Sequence, residues 1–305
     1  MEKHRKKLIK NAAVFDGHSS GLAQGKKIVI EDDIVTEITA DEVSEENFDE
    51  VFDGTGMVAM PGMTDAHVHM GCRVAKGEFP VDYATVLTVA KCKDALMAGF
   101  TTFRDAGSVS EGLKLAFDEG VLPGPRIYPC GAYISQTCGH GDSEYAHTYR
   151  DIQYRHPSSA VLADGVPEII RAVREQFYRG ASHIKLMATE ILNRHEDIGL
   201  LFGTDMMITG PDYQVEQSED IRYYEKRFGT MRALRALTGT ANEVFALTTY
   251  QNPYPKGKIG VLEAGAFADL LLVDGDPTKR VSVLADTDHL RLIMKGGTVY
   301  KNTLC

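Results

Sequence analysis

Short apolar runs of β character occupy both ends of the chain, and strand-like runs alternate with helical spacing between them. Leu8-Ile9 and Ala13-Val14-Phe15 lead to a turn at Asp16-Gly17, while Lys27–Ile30 and Ile34–Ile38 flank a turn at Glu31–Asp33. Ala268–Val273 and Leu292–Tyr300 repeat that character near the other end. From Met57 onward the alternation of strand and helix predicts a parallel sheet with helices outside it. Tyr83–Ala98 reads as a helix ended by Gly99, Thr101–Arg104 as a strand, and Glu111–Glu119 as a helix before Gly120. Arg126–Cys130 is the next strand, followed by a long polar loop from Gly131 to about Asp164. Val166, Ile169, Ile170, Val173 and Phe177 then fall at helical spacing, with Pro167 in the first turn. Strands over His183–Ala188 and Ile198–Phe202, a helix around Tyr223–Leu237 and a capping box at Thr240–Glu243 complete the expected series.

Composition narrows the functional classes. A chain of 305 residues with 43% hydrophobic and 25% charged residues has ample material for a buried core. Its net charge of −10 argues against nucleic acid or an anionic membrane as partner, because both select clustered Lys and Arg. The basic segment Met1–Lys10 is followed by no apolar stretch of the secretory kind, and no run approaches the ~20 apolar residues of a spanning helix. Five cysteines, Cys72, Cys92, Cys130, Cys138 and Cys305, are scattered without a Cys-x-x-Cys pair, which predicts reduced thiols and a cytoplasmic location. Gly21–Lys27 imitates a phosphate-binding loop but has the wrong glycine spacing and lacks the terminal Ser or Thr.

The candidate chemistry lies where the first strand of the alternating region ends. His67 and His69 are two apart, so on a strand they share one face, and paired imidazoles suit zinc and similar cations. Asp65 precedes them on the same face. Lys185 sits inside an apolar strand, where a lysine must be paired, neutral or modified. Asp205, after Gly203-Thr204, is placed as either a base toward bound water or a turn aspartate. Arg104 and Asp105 read as an internal ion pair.

The string MPGMTDAHVHM at Met60–Met70 resembles the first-strand signature of the amidohydrolase superfamily, in its imidazolonepropionase-like and Xaa-Pro dipeptidase-like branch. GFTTFRDAG at Gly99–Gly107, GPRIYPCGAYISQTCGHGD at Gly124–Asp142, IKLMAT at Ile184–Thr189, GTD at Gly203–Asp205 and EAGAFADLLLVDGDP at Glu263–Pro277 follow in the family's order. The resemblance implies a metal-dependent hydrolase of amide, dipeptide-like or cyclic C–N bonds, acting on small molecules through one or two divalent ions, typically zinc. It implies His67, His69, Lys185 (as a carboxylated bridge) and Asp205 as metal ligands, with Asp205 and the loop residue His140 as catalytic groups. It also implies a composite β-sandwich over residues 1–58 and 257–305 and a (β/α) barrel over 59–256.

One departure is large. Only the eight residues Glu190–Asp197 separate Thr189 from the next strand, so the chain passes from the family's fourth strand to its eighth. The fold class expected is therefore α/β, an incomplete TIM-like barrel plus a small β-sandwich, since a full barrel takes about 250 residues. The two middle histidines of the family's site have no counterpart, and His195 or His183 are the candidates to replace them. An open sheet edge in turn predicts a homo-oligomer. Two functions follow: a one-metal hydrolase, or an impaired remnant that binds or scaffolds, or an internal deletion product.

Overall fold

The computed structural model describes residues 5–70, 80–108, 111–142, 160–186, 200–207 and 213–304. The N-terminal alternation yields β1 (Lys6–Lys10), β2 (Ala13–Val14), β3 (Lys27–Glu31), β4 (Ile34–Thr39), β5 (Glu50–Asp53) and β6 (Val58–Pro61). Strands β4, β3, β1 and β5 pair in that order as a four-stranded sheet. Strand β6 instead joins the C-terminal strands β13 (Leu270–Val273), β14 (Leu290–Lys295) and β15 (Thr298–Asn302), with β2 beyond it, in a five-stranded sheet.

That five-stranded sheet separates two hydrophobic clusters. Leu270, Leu272, Leu292, Met294 and Ala59 pack with Ile9, Ile28 and Ile30 of the four-stranded sheet. Their neighbours Leu271, Val273, Ile293, Val58 and Met60 pack on the other side, with Met63, Phe100, Phe103 and Phe202. All four residues of β13 are buried, as a continuous apolar run buried on both faces must be. The two ends of the chain therefore share one core, although Lys27–Glu31 and Leu270–Val273 lie in different sheets.

The middle of the chain builds a four-stranded sheet of order β12-β7-β8-β9, parallel throughout. Here β7 is Met63–His69, β8 Phe100–Asp105, β9 Arg126–Tyr128 and β12 Met206–Met207. Helix α1 (Val81–Met97) connects β7 to β8, and α2 (Glu111–Asp118) connects β8 to β9. The segment expected as a long loop instead holds β10 (Tyr133–Ser135) and β11 (Ala160–Leu162), a parallel pair followed by α3 (Val166–Tyr178). At the expected fourth strand the described residues make one parallel bridge, Leu186 to Ile134, supported by the bond from Ile134 N to Lys185 O.

Residues 200–205 form no regular strand, yet they lie beside β7, where Ala66 N donates to Phe202 O and Asp205 N to His67 O, both at 2.8 Å. The helix expected over Tyr223–Leu237 is two helices, α4 (Tyr213–Phe228) and α5 (Thr230–Leu237), because Gly229 adopts φ 81° between them. The capping box at Thr240 does not form. Gly239 opens α6 (Gly239–Ala246) against Gly17 O, where an added Cβ would strike the backbone, so Thr240 is already inside the helix. Among the described residues no strand pairs with the outer edge of β12, and the sheet does not close into a barrel.

Candidate metal centre

Strand β7 points Asp65, His67 and His69 to one face through its two-residue period. The His67 and His69 rings lie 5.4 Å apart. The third group arrives by a sharp reversal of the chain. Gly203 packs so tightly on His67 that a Cβ there would sit 2.7 Å from the histidine Cβ. Two residues later Asp205 takes φ 56°, a left-handed conformation that is uncommon outside glycine and accumulates at functional sites. Its Oδ1 is 2.9 Å from His67 Nε2 and 3.2 Å from His69 Nε2. One ligand atom from each of the three residues lies within 4.8 Å of the others. The Asp205 side chain is 72% exposed, so the centre opens outward through the carboxylate rather than the rings.

The surroundings hold His67 neutral. Burial, and next the Lys185 charge, hold the His67 imidazole down to about 4, so it offers a lone pair at neutral pH. Lys185 Nζ is 2.9 Å from the same Nε2 atom that faces Asp205. A single ring nitrogen cannot accept from an ammonium and donate to a carboxylate at once. Two imidazole nitrogens and a carboxylate oxygen converging on one point are a donor set that a divalent ion satisfies. Burial also lowers the Lys185 pKa.

Beneath the cluster, Asp65 is fully buried and accepts from His67 N at 3.2 Å, Thr204 N at 3.2 Å, Thr204 Oγ1 at 3.0 Å and Gln217 Nε2 at 3.1 Å. Burial pushes its carboxyl up to about 7, against the pull of those donors. This aspartate ties the turn before Asp205 to β7 and to α4. Thr204 and Gln217 were not legible as site residues, because only a contact across 139 or 152 residues reveals them.

The remaining expected groups are placed less centrally. His140 is exposed and outside the three-residue cluster. The Arg104–Asp105 pair does not form, since neighbours on a strand face opposite ways. Arg104 Nη1 donates to Ala66 O at 3.4 Å, whereas Asp105 accepts from Met70 N, Gly107 N and Ser108 Oγ. His183 sits two residues before Lys185 and is not part of the cluster. His195 and the junction Thr189–Ile198 lie outside the described residues. Cys92 and Cys130 are buried free thiols, Cys138 is exposed, and no described helix is long and apolar enough to cross a membrane.

Residues 58–200 match the Amidohydrolase family. Ochratoxinase of Aspergillus niger is 34% identical over 152 residues, a match that covers 43% of this chain and 31% of that protein. The chain thus aligns with about a third of the length of that curated relative. A crystal structure of an amidohydrolase superposes with a TM-score of 0.83 at 24% identity, covering 98% of this chain and 100% of the other. A prolidase complexed with N-methylphosphonate-L-proline gives 0.83 at 23% identity, covering 97% and 100%. The likeness to those two structures establishes the fold.

Proposed function

Because residues 58–200 match the Amidohydrolase family, we propose that this chain is a metal-dependent hydrolase of small amides, dipeptide-like compounds or cyclic amides. The convergence of His67, His69 and Asp205 within 4.8 Å carries the reading. The ochratoxinase and prolidase likenesses support a C–N bond as the target. In this reading residues 59–256 are the shortened barrel, and residues 1–58 with 257–305 the composite sandwich. The buried thiols Cys92 and Cys130 support a cytoplasmic location.

Zinc is the ion proposed, and when bound it would lower the pKa of a coordinated water and polarise the scissile carbonyl. His67 and His69 would hold it. Asp205 would complete the set, and its exposed carboxylate would take the proton of the attacking water. The loop residue His140 is assigned to the substrate carbonyl. Lys185 has two states in this scheme. As an ammonium it donates to His67 Nε2, and as a neutral amine it can add CO2, losing a proton, to become a carbamate ligand. With the family's two middle histidines lacking a counterpart, one ion is favoured over two.

The test is hydrolysis of a panel of Xaa-Pro dipeptides and N-acyl amino acids by chelator-treated chain, before and after zinc. Zinc-dependent turnover abolished by Asp205→Asn is expected. Among the described residues no strand covers the outer edge of β12, which favours a second reading, an impaired remnant that binds rather than cleaves, and supports self-association. Stoichiometric zinc without turnover on any panel member would select that second reading.

A further inference from the structure

A cavity of about 360 Å³ lies beside the candidate centre, lined by residues that the hydrolytic scheme leaves unused. Arg104, Tyr128, Phe177 and His183 face Phe245 and Tyr250 across it, and its described lining includes no Asp or Glu. In a chain of net charge −10, such a pocket with an arginine in its wall is a local reversal of sign.

Arg104 carries five N–H donors in a planar fork, yet its one hydrogen bond among the described residues is the long contact to Ala66 O at 3.4 Å. Burial lowers its pKa, but a guanidinium keeps its charge. His183 adds a second polar group. Its Nδ1 lies 3.0 Å from Ser182 Oγ, while its Nε2 is buried without a hydrogen-bond partner. Because Ser182 Oγ donates to Pro129 O at 3.0 Å, the ring proton sits on Nδ1, and His183 lines the wall as a neutral ring with a lone pair on Nε2. The remaining wall is flat and aromatic: Tyr128 and Phe245 stack at 3.8 Å between centroids with 4° between planes.

We infer that this cavity binds a small aromatic carboxylate, its carboxylate on Arg104 and its ring against Phe177, Phe245 and Tyr250. A guanidinium fork matches a carboxylate in two parallel bonds. The volume falls within the range of small-molecule pockets, about 300–1,000 Å³. His183 is two residues from Lys185, so the ligand would sit roughly 7 Å along the chain from the candidate centre. The inference concerns binding alone and stands whether or not the chain cleaves amides.

The chain has no tryptophan, and Tyr250 is 90% exposed, so Tyr250→Trp places a single indole reporter at the rim with little risk to folding. Benzoate and benzamide are titrated into the chelator-treated, full-length Tyr250→Trp chain. Saturable change with benzoate and none with benzamide is expected, weakened at least roughly tenfold by adding Arg104→Gln. Equal responses to the two probes, or unchanged affinity in the Arg104→Gln chain with native circular dichroism, would overturn the site. Should Arg104→Gln fail to fold, Arg104→Lys, which keeps the charge but loses the fork, and the benzoate–benzamide contrast decide. Benzoate binding that requires added zinc and His69 would place the ligand on the metal centre and likewise overturn the inference, without bearing on hydrolysis.

Discussion

The β-rich ends and the parallel sheet are made from strands of similar length, yet they are stabilised in different ways. At the ends, β13 has a paired neighbour on each side and a hydrophobic cluster on each face. In the parallel sheet, β12 is two residues long with one neighbour among the described residues, and the segment before it is tied down by side-chain hydrogen bonds to a buried Asp65. Apolar burial is nondirectional and tolerant, whereas a buried carboxylate with four donors fixes a geometry. The ends supply the stability, and the sheet edge supplies a precise but weakly braced site.

Phe202→Ala should break that contrast most severely. The ring is fully buried against Phe100 and Tyr224 in the segment that leads to Asp205, and its loss should cost about 3–5 kcal/mol. Urea denaturation measures the loss, and zinc retention should fall with it. Leu271→Ala should cost slightly less, about 2–5 kcal/mol, because β13 borders both clusters. Its signature is different: one cooperative transition at lower urea, with zinc retention unchanged in the folded chain. Separate transitions for the two regions would show that the shared sheet does not couple them.

A smaller effect sharpens the comparison through pH. Lys295, at the end of β14, is buried and donates to Gly124 O at 2.5 Å, and burial depresses its pKa to about 8. Between about 8 and the ordinary lysine value of 10.5, the unfolded chain binds a proton that the folded chain does not. This lysine therefore makes stability rise with pH across that window and contributes no slope below it. Lys295→Met should remove the rise, measured as the urea midpoint at about pH 7.5 and 9.5. Parallel behaviour of the parent and substituted chains would contradict the assignment.

Legibility in the sequence follows the same division. Alternation revealed β1 to β4 and β13 to within a residue or two, since a strand buried by its neighbours carries its pattern locally, whereas β5 went unread and the single run Leu292–Tyr300 is two strands, β14 and β15. His67 and His69 were readable because residues two apart on a strand share a face. Asp205 and Lys185 entered through resemblance, and the structure brings Asp205 within 3.2 Å of both rings. Arg104 was misread because adjacency in sequence is opposition in a strand, and Gln217 was invisible because its partner is 152 residues away. The break at Gly229 did have a signal, a glycine inside a helical run.

The central claim is that a metal centre persists on this open sheet. Zinc per chain after equilibrium dialysis tests it most directly, in the parent and in His69→Ala. One ion per parent chain is expected, with affinity at least about 100-fold weaker once the ligand is removed, beyond what outer-shell changes typically cause. No retained zinc in a folded parent chain, or equal retention by His69→Ala, would contradict it.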